Sequence, residues 1–170
     1  FNLKKIIQHS ELLNIKYVVM PLVDKSSIKN IEEEIKVVKL FKEIIKKFSK
    51  INILFETDYD PKKIIDFMKN FKSKRIGINY DIGNSSSLGY DFDEEKKYYH
   101  FIKNVHIKDR KFKGDTVRLG YGSADLEKIL RYFKKKKYRG NFILQTARSK
   151  NNRHLEELLI NLKYIYNLKI

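Results

Sequence analysis

Four short apolar stretches of this sequence each carry one side chain that could bind a metal ion. The four side chains are those of Glu56, Asp81, His106 and Gln145, which are separated by intervals of 25, 25 and 39 residues. An interval of roughly 25 to 40 residues accommodates one strand, one helix and two loops. Because the carboxyl ends of parallel strands meet at one edge of a sheet, this spacing predicts that the four side chains lie together.

The chemistry of such a group follows from its residue types. Carboxylates with an imidazole suit Mn, Co, Mg or Zn. A bound divalent ion would hold a hydroxyl and a carbonyl on adjacent carbons of a substrate, acidify the neighbouring C–H and stabilise the resulting enediolate. Glu56 can then act as both ligand and base, whereas the Gln145 amide can coordinate only weakly and cannot relay a proton.

Length and composition restrict the class of protein. A chain of 170 residues predicts a single domain over residues 1–170. The absence of cysteine excludes disulfides, thiolate metal sites and a cysteine nucleophile. No apolar run approaches the roughly 20 residues of a membrane span, and no segment resembles a signal peptide. We therefore expect a cytoplasmic protein without a membrane partner.

The net charge of +16 and the pI of about 9.8 leave two explanations open. One is binding to nucleic acid or phosphate. The other is a general enrichment in lysine that places a cation on every solvated helix face. Lysine is spread along the whole chain, and its densest run, residues 134–137, falls where a helix should end and a cation is favoured. This distribution favours the second explanation.

Hydrophobic patterning predicts alternating helices and strands. The predicted strands cover residues 16–22, 51–56, 75–81, 104–109 and 141–146. The predicted helices cover residues 2–13, 28–48, 60–71, 93–103, 125–138 and 153–167. Residues 83–89 and 111–123 are predicted to be loops. Pro21 should end the first strand, and the expected helix N-caps are Ser26 or Ser27, Asp60, Asp93 and Asp125.

Strict alternation predicts an α/β fold with a parallel sheet covered by helices, whose strands are apolar on both faces. An open doubly wound sheet would fit, but its Gly-rich phosphate loop is missing after the first strand. Ligand-type residues at four strand ends favour a (β/α)8 TIM barrel. Five strands predict an incomplete barrel of about five C-terminal βα units, which we expect to be poorly soluble or homo-oligomeric because its edges are open.

Four motifs carry a family resemblance. They are Tyr80–Asn84 (YDIGN), Val105–Asp109 (VHIKD), Leu119–Leu126 (LGYGSADL) and Tyr138–Gln145 (YRGNFILQ). In this order they resemble the xylose isomerase-like TIM-barrel superfamily, in its sugar-phosphate isomerase/epimerase branch, over roughly residues 50–148. The resemblance implies that Glu56 is a metal ligand and catalytic base. It also implies that Asp81 and His106 are metal ligands, and that Gln145 occupies the position of the family's second base and fourth ligand.

Structural alternatives stand beside each of these roles. Glu56 could form a salt bridge with a lysine, and Asp81 could cap the segment that follows it. His106 lies between two apolar residues and could be an ordinary core histidine, and Gln145 could be a structural amide.

Further side chains at the predicted strand ends could contact the substrate. These are Asn84, Lys108, Arg110, Arg118 and Arg148, whose cations suit a sugar phosphate or a carboxylate. The alternative is surface charge, or pairing with Asp109 and Asp115.

Asn84 also bears on nucleic-acid cleavage. In the endonuclease IV branch of the superfamily the matching position is a histidine, and a later Asp-x-His supplies more zinc ligands. Residues 108–116 of this chain contain no histidine. Nucleic acid is therefore not the expected partner.

Three functions are compatible with these residues, of which the sequence supports the first most strongly and the third least. The first is a divalent-metal-dependent sugar or sugar-phosphate isomerase or epimerase, which Gln145 would restrict to one-base chemistry. The second is a non-catalytic barrel that binds a sugar or a partner protein. The third is an endonuclease IV-like phosphodiesterase, which rests mainly on the charge.

Overall fold

The structure, a computed structural model, describes residues 3–149 and 151–170. The helices are α1 (Leu3–Leu12), α2 (Ile31–Lys47), α3 (Pro61–Lys69), α4 (Ile82–Leu88), α5 (Phe92–Glu95), α6 (Leu126–Lys135) and α7 (His154–Asn167). The strands are β1 (Tyr17–Leu22), β2 (Asn52–Thr57), β3 (Ile76–Asp81), β4 (Ile102–Ile107), β5 (Asp109–Arg110), β6 (Thr116–Val117) and β7 (Asn141–Leu144). Asn2, the predicted first helical residue, lies outside the described residues. No helix within them is long and apolar enough to cross a membrane.

Five strands form one sheet in the order β1-β2-β3-β4-β7. The β1–β2, β2–β3 and β4–β7 pairs are parallel, as the alternation of strands and helices predicts. β5 and β6 form a separate antiparallel pair, in which β6 lies inside the predicted loop over residues 111–123 and β5 lies just before that loop. The α/β prediction and its five main strands are thus confirmed, and the five-stranded sheet is not closed within the described part of the chain.

The described residues form two compact units, one of residues 3–79 with 97–103 and the other of residues 80–96, 104–149 and 151–170. The single domain over residues 1–170 stays a prediction. The core of the first unit is aromatic. Phe55 of β2 is fully buried, and its ring centroid lies 4.9 Å from that of Phe41, 5.3 Å from Phe67 and 5.4 Å from Phe71.

Phe133 of α6 is the centre of the second core. It is fully buried, and its ring centroid lies 4.9 Å from Tyr138, 5.8 Å from Phe142 and 6.1 Å from Tyr80. The pairs with Tyr138 and Phe142 are edge-to-face and the pair with Tyr80 is stacked, and aromatic pairs of these two kinds contribute about 0.5–1.5 kcal/mol beyond the area they bury. Aromatic side chains on helices therefore cover the sheet in each unit.

The two faces of β3 differ, which corrects the prediction of strands that are apolar on both sides. Because side chains alternate along a strand, Ile76, Ile78 and Tyr80 share one face while Asn79 and Asp81 share the other. All six residues of β3 are nevertheless buried. The sequence pattern looked continuous because Gly77 and two buried polar residues occupy the second face.

The end of β1 differs from its prediction. The strand continues through Pro21, which pairs with Glu56, and ends at Leu22. Proline is tolerated there because β1 is an edge strand of the sheet, where no neighbour requires its missing N–H. For the same reason the strand is only partly buried.

Several predicted helix starts and loops are corrected. Asn30, rather than Ser26 or Ser27, caps α2, and its side chain accepts a hydrogen bond from the Glu33 N–H. Asp91, rather than Asp93, caps α5, which covers one turn before 3₁₀ structure over Lys96–Phe101.

The predicted loop over residues 83–89 is largely helix α4, which ends at Gly89 in the left-handed conformation (φ 80°). The Asp60 and Asp125 caps are confirmed.

The hydrophobic periodicity of residues 28–48 predicts that Ile31 and Ile35 lie on the buried stripe of this helix, and this prediction is wrong for both. Ile31 and Ile35 are 62% and 60% exposed, whereas Glu34 is only 7% exposed. Glu34 can be buried because its carboxylate accepts a hydrogen bond from the Tyr59 hydroxyl at 2.8 Å and pairs with Lys63 at 2.7 Å. Hydrophobicity alone gave no sign of these partners.

α7 anchors the segment that follows β6. The Arg118 guanidinium donates two hydrogen bonds to Glu157, at 2.7 and 2.8 Å. The fully buried Asn161 accepts a hydrogen bond from the Leu119 N–H at 2.9 Å. The bonds from Arg118 lower the pKa of Glu157 below its ordinary value of 4.5. The start of the segment after β6 is therefore hydrogen-bonded to α7 rather than exposed to solvent.

We expect Phe55→Ala to lower the free energy of unfolding by about 3–5 kcal/mol, because it leaves a cavity among three rings. Urea denaturation followed by circular dichroism measures the change. Phe112→Ala is the matched control, since Phe112 is 56% exposed and its loss should change the free energy by about 0.5 kcal/mol or less. Equal losses in the two variants would contradict this description of the core.

We expect Glu157→Gln to lower the melting temperature at neutral pH and to have a smaller effect near pH 3. A carboxyl whose folded pKa is lowered stabilises the fold above its unfolded pKa of 4.5, and that stabilisation is lost as the pH falls through the folded pKa. Thermal melts at the two pH values test this. The control is Glu156→Gln, because Glu156 is exposed and its loss should matter little at either pH. A Glu157→Gln effect that does not depend on pH would contradict the assigned ion pair.

Candidate active site

Glu56 is positioned by a buried amide on the neighbouring strand. It lies near the end of β2 and is half-buried. Phe55 pairs with Ile78, so Glu56 stands beside Asn79 in the register. The Asn79 side chain is 2% exposed and donates a hydrogen bond from Nδ2 to Glu56 Oε2 at 2.8 Å. This bond orients the carboxylate and balances part of its charge.

Asp81 uses its two carboxylate oxygens differently. It is 4% exposed at the end of β3, and its Oδ1 accepts a hydrogen bond from the Asn84 N–H at 2.8 Å. Asp81 is therefore the N-cap of α4, which is the capping role that the sequence left open. Because Oδ1 is fixed by the helix, the orientation of Oδ2 is set as well.

Oδ2 of Asp81 faces two side chains that extend from β4 and the residues after it. His106 Nδ1 lies 3.6 Å away and Lys108 Nζ lies 3.4 Å away. The His106 and Lys108 side chains are only 13% and 15% exposed. The site therefore combines a buried carboxylate, an imidazole and an ammonium group within contact distance.

Within residues 3–149 and 151–170, Glu56, Asp81 and His106 form a group that could hold a metal ion. Each offers one ligand atom, and these atoms all lie within 4.8 Å of one another. Two carboxylate oxygens and an imidazole nitrogen fit a hard or borderline divalent cation such as Mn, Co, Mg or Zn. The chemistry of the donors thus agrees with the cofactor that the sequence predicts.

Gln145 directly follows β7, and its backbone N–H donates to the Ile107 carbonyl at 3.0 Å. His106 pairs with Ile143, so alternation places the Gln145 side chain on the same face of the sheet as His106. The residue is exposed. The structure thus places the Gln145 amide on the face of the sheet that carries the His106 imidazole.

Three of the predicted substrate-binding residues come together. Oδ1 of Asn84 accepts hydrogen bonds from Lys108 Nζ at 3.1 Å and from Arg110 Nη1 at 2.9 Å. Arg110 is held from its other side by the Gly114 carbonyl, which accepts bonds from Nε and Nη2 at 3.0 and 2.8 Å. Asn84 is thus an acceptor shared by two cations.

The two remaining predicted arginines are placed differently. Arg118 is engaged by Glu157 of α7, and Arg148 is exposed after β7. The structure pairs Lys108 with Asp81 and Arg118 with Glu157, rather than with Asp109 or Asp115.

Asp109 organises the glycine-containing loop next to the site, a role that sequence reasoning missed. It is fully buried, and its carboxylate accepts hydrogen bonds from the N–H groups of Gly120, Gly122 and Ala124 at 2.9, 2.8 and 3.1 Å. A Cβ on Gly122 would lie 2.0 Å from Asp109 Oδ1, so glycine is required for this approach. The two nearby glycines were the available signal, but the carboxylate that they approach lies 11 and 13 residues earlier.

Asn79 was missed as well. Its place inside an apolar strand gave no sign of a partner until the register set it beside Glu56.

Comparison with known proteins places this geometry in a family. The sequence profile described as "Xylose isomerase-like TIM barrel" matches residues 2–165. No curated protein sequence matches the chain.

A xylose isomerase domain protein from Planctomyces limnophilus superposes with a TM-score of 0.82 at 16% identity, over 98% of this chain and 64% of its own length. A D-allulose 3-epimerase from Methylomonas sp., in complex with D-allulose, gives 0.74 at 14% identity, over 96% of this chain and 66% of its own. A probable 3-DHS dehydratase from Bacillus anthracis gives 0.71 at 14% identity, over 96% and 71%.

These similarities establish the fold alone, because the identities are low and the chain spans less than two thirds of the first two structures. Sugar epimerases are among the structural neighbours. The profile match covers nearly the whole chain. The chain therefore belongs to the xylose isomerase-like TIM barrel family.

Proposed function

We propose that this chain carries the metal centre of a divalent-metal-dependent sugar isomerase or epimerase that acts through an enediolate. The observation that carries the proposal is the convergence of one ligand atom each from Glu56, Asp81 and His106 within 4.8 Å. Structural neighbours include a D-allulose 3-epimerase and an L-ribulose 3-epimerase, which supports a sugar as substrate.

In this proposal Glu56, Asp81 and His106 hold the cation, and the Gln145 amide oxygen completes the site weakly. A divalent cation supplies electrophilic polarisation of a hydroxyl and a carbonyl on adjacent carbons, which acidifies the neighbouring C–H. The Asp81 cap and the Asn79 bond fix the carboxylates before any ligand binds, so little reorganisation is needed.

Glu56 is proposed as the group that accepts the C–H proton. Its Oε2 already accepts the Asn79 bond, and that bond holds the carboxylate in one orientation. After the transfer, Glu56 can return the proton to the adjacent carbon on the same face of the substrate, while the hydroxyl proton passes to the former carbonyl oxygen. Because Gln145 cannot donate or accept a proton near neutral pH, the opposite face lacks a second base. One-base isomerisation is therefore the reaction that these residues support best.

A second candidate is a non-catalytic barrel that binds a sugar or a partner protein. The observation that favours it is Gln145, which is an exposed amide on the face that carries His106. In this case the metal group would orient a ligand without chemistry.

The metal centre is tested by calorimetric titration of the full-length protein with Mn²⁺. We expect Asp81→Asn and His106→Gln each to weaken binding by at least about tenfold, since each removes a ligand. Glu32→Gln is the control, because Glu32 is an exposed carboxylate in the first turn of α2. Failure of the wild-type protein to bind Mn²⁺, Co²⁺, Mg²⁺ or Zn²⁺ would refute the proposed centre.

The reaction is tested by incubating the metal-loaded protein with a panel of ketoses and aldoses in D₂O and following C–H exchange by NMR. We expect exchange with the wild-type protein and its loss in Glu56→Gln. Gln145→Glu should add epimerisation by restoring a second carboxylate. Exchange that appears only in Gln145→Glu would instead support the non-catalytic candidate.

A further inference from the structure

We infer that Lys108 and Arg110 form an anion-binding subsite beside the metal ligands, so that the substrate carries a phosphate ester or a carboxylate. This inference rests on the proposed function, because it names the substrate class of the same site. It starts from an imbalance of charge. Lys108 and Arg110 converge on the neutral Asn84 Oδ1, and Asp81 is the carboxylate that contacts one of them.

The two cations have little compensation. The Lys108 side chain is 15% exposed, and Nζ lies 3.4 Å from Asp81 Oδ2. Arg110 is half-buried and forms no ion pair with a carboxylate among the residues that the structure describes. The nearby Asp109 directs its oxygens to the N–H groups of Gly120, Gly122 and Ala124.

The proposed metal would sharpen this imbalance. A divalent cation on Asp81 would take up the negative charge that Lys108 now faces. Lys108, Arg110 and the metal would then be three cationic groups on one side of the site. Partly desolvated groups of like charge that lie close together repel one another unless an anion lies among them. An anionic group on the substrate supplies that charge.

The subsite is also organised before a ligand binds. Two bonds from the Arg110 guanidinium to the Gly114 carbonyl fix its plane, and a third bond to Asn84 fixes its direction. Asn84 lies in the first turn of α4, whose start is capped by Asp81. A planar guanidinium beside an ammonium group suits the oxygens of a phosphate or carboxylate.

The position of the cluster favours a substrate group over a free ion. Lys108 follows His106 by two residues and contacts Asp81, so an anion held there lies next to the proposed metal ligands. By contrast, the Arg118 guanidinium already has a carboxylate partner in Glu157. Lys108 and Arg110 are therefore the cations best placed to select a charged sugar.

The test is calorimetric titration of the full-length, Mn²⁺-loaded protein with inorganic phosphate, and separately with acetate. We expect Lys108→Met to weaken binding of the preferred anion by about 10- to 100-fold, because a charge-assisted hydrogen bond is lost. Lys108→Arg should retain most of the affinity, since it keeps the charge. Lys111→Met is the matched control, because Lys111 is exposed and only one residue from Arg110, and it should change binding less than twofold.

The outcomes separate this inference from the proposed function. Phosphate binding identifies a phosphorylated substrate, whereas acetate binding alone identifies a carboxylate. Mn²⁺ binding with no affinity for either anion overturns the subsite and leaves the metal centre standing. If Mn²⁺ does not bind, the same titrations on the metal-free protein still test the subsite. Equal effects of Lys108→Met and Lys111→Met would overturn it, because binding would then follow net charge alone.

Discussion

The two carboxylate oxygens of Asp81 have different partners, and the arrangement of the side chains around the site depends on this difference. Oδ1 caps α4 through the Asn84 N–H, and Oδ2 faces His106 and Lys108. A buried carboxylate needs several compensating partners, and here they come from a helix start and from the neighbouring strand. The same cap that begins α4 therefore also places Asn84, and Asn84 in turn gathers Lys108 and Arg110.

The two faces of β3 separate stability from chemistry. One face bears Ile76, Ile78 and Tyr80, which are all buried, and the Tyr80 ring stacks on Phe133 of α6. The other bears Asn79 and Asp81, which are polar, buried and engaged with side chains of the site. Substitutions on the first face should act through packing, whereas those on the second should act through ligand binding. Under the proposed function the identity of residue 145 belongs to the second kind, because the Gln145 N–H pairs with the Ile107 carbonyl while its side-chain amide cannot transfer a proton near neutral pH.

Prediction from sequence succeeded where local rules dominate. The caps at Asp60 and Asp125 were predictable because a short polar side chain before an apolar helix has one strongly favoured use. Residues 83–89, most of which belong to α4, were predicted to be a loop because their three serines and two glycines have low helix propensity. The cap at Asp81, the exit at Gly89 and burial of Ser85 and Ser87 override that propensity. The exposed Ile31 and Ile35 illustrate the converse, since hydrophobicity does not guarantee a partner.

The sequence by itself determined the order of strands and helices, the α/β class and the four strand ends that carry Glu56, Asp81, His106 and Gln145. These follow from periodicity and from the fact that parallel strands end at one edge. Tertiary structure alone decided which side chains support them. Asn79 meets Glu56 across a strand register, and Asp109 meets a loop 11 to 15 residues away. Contacts between residues distant in sequence depend on register and packing, and neither leaves a periodic signal in a single chain.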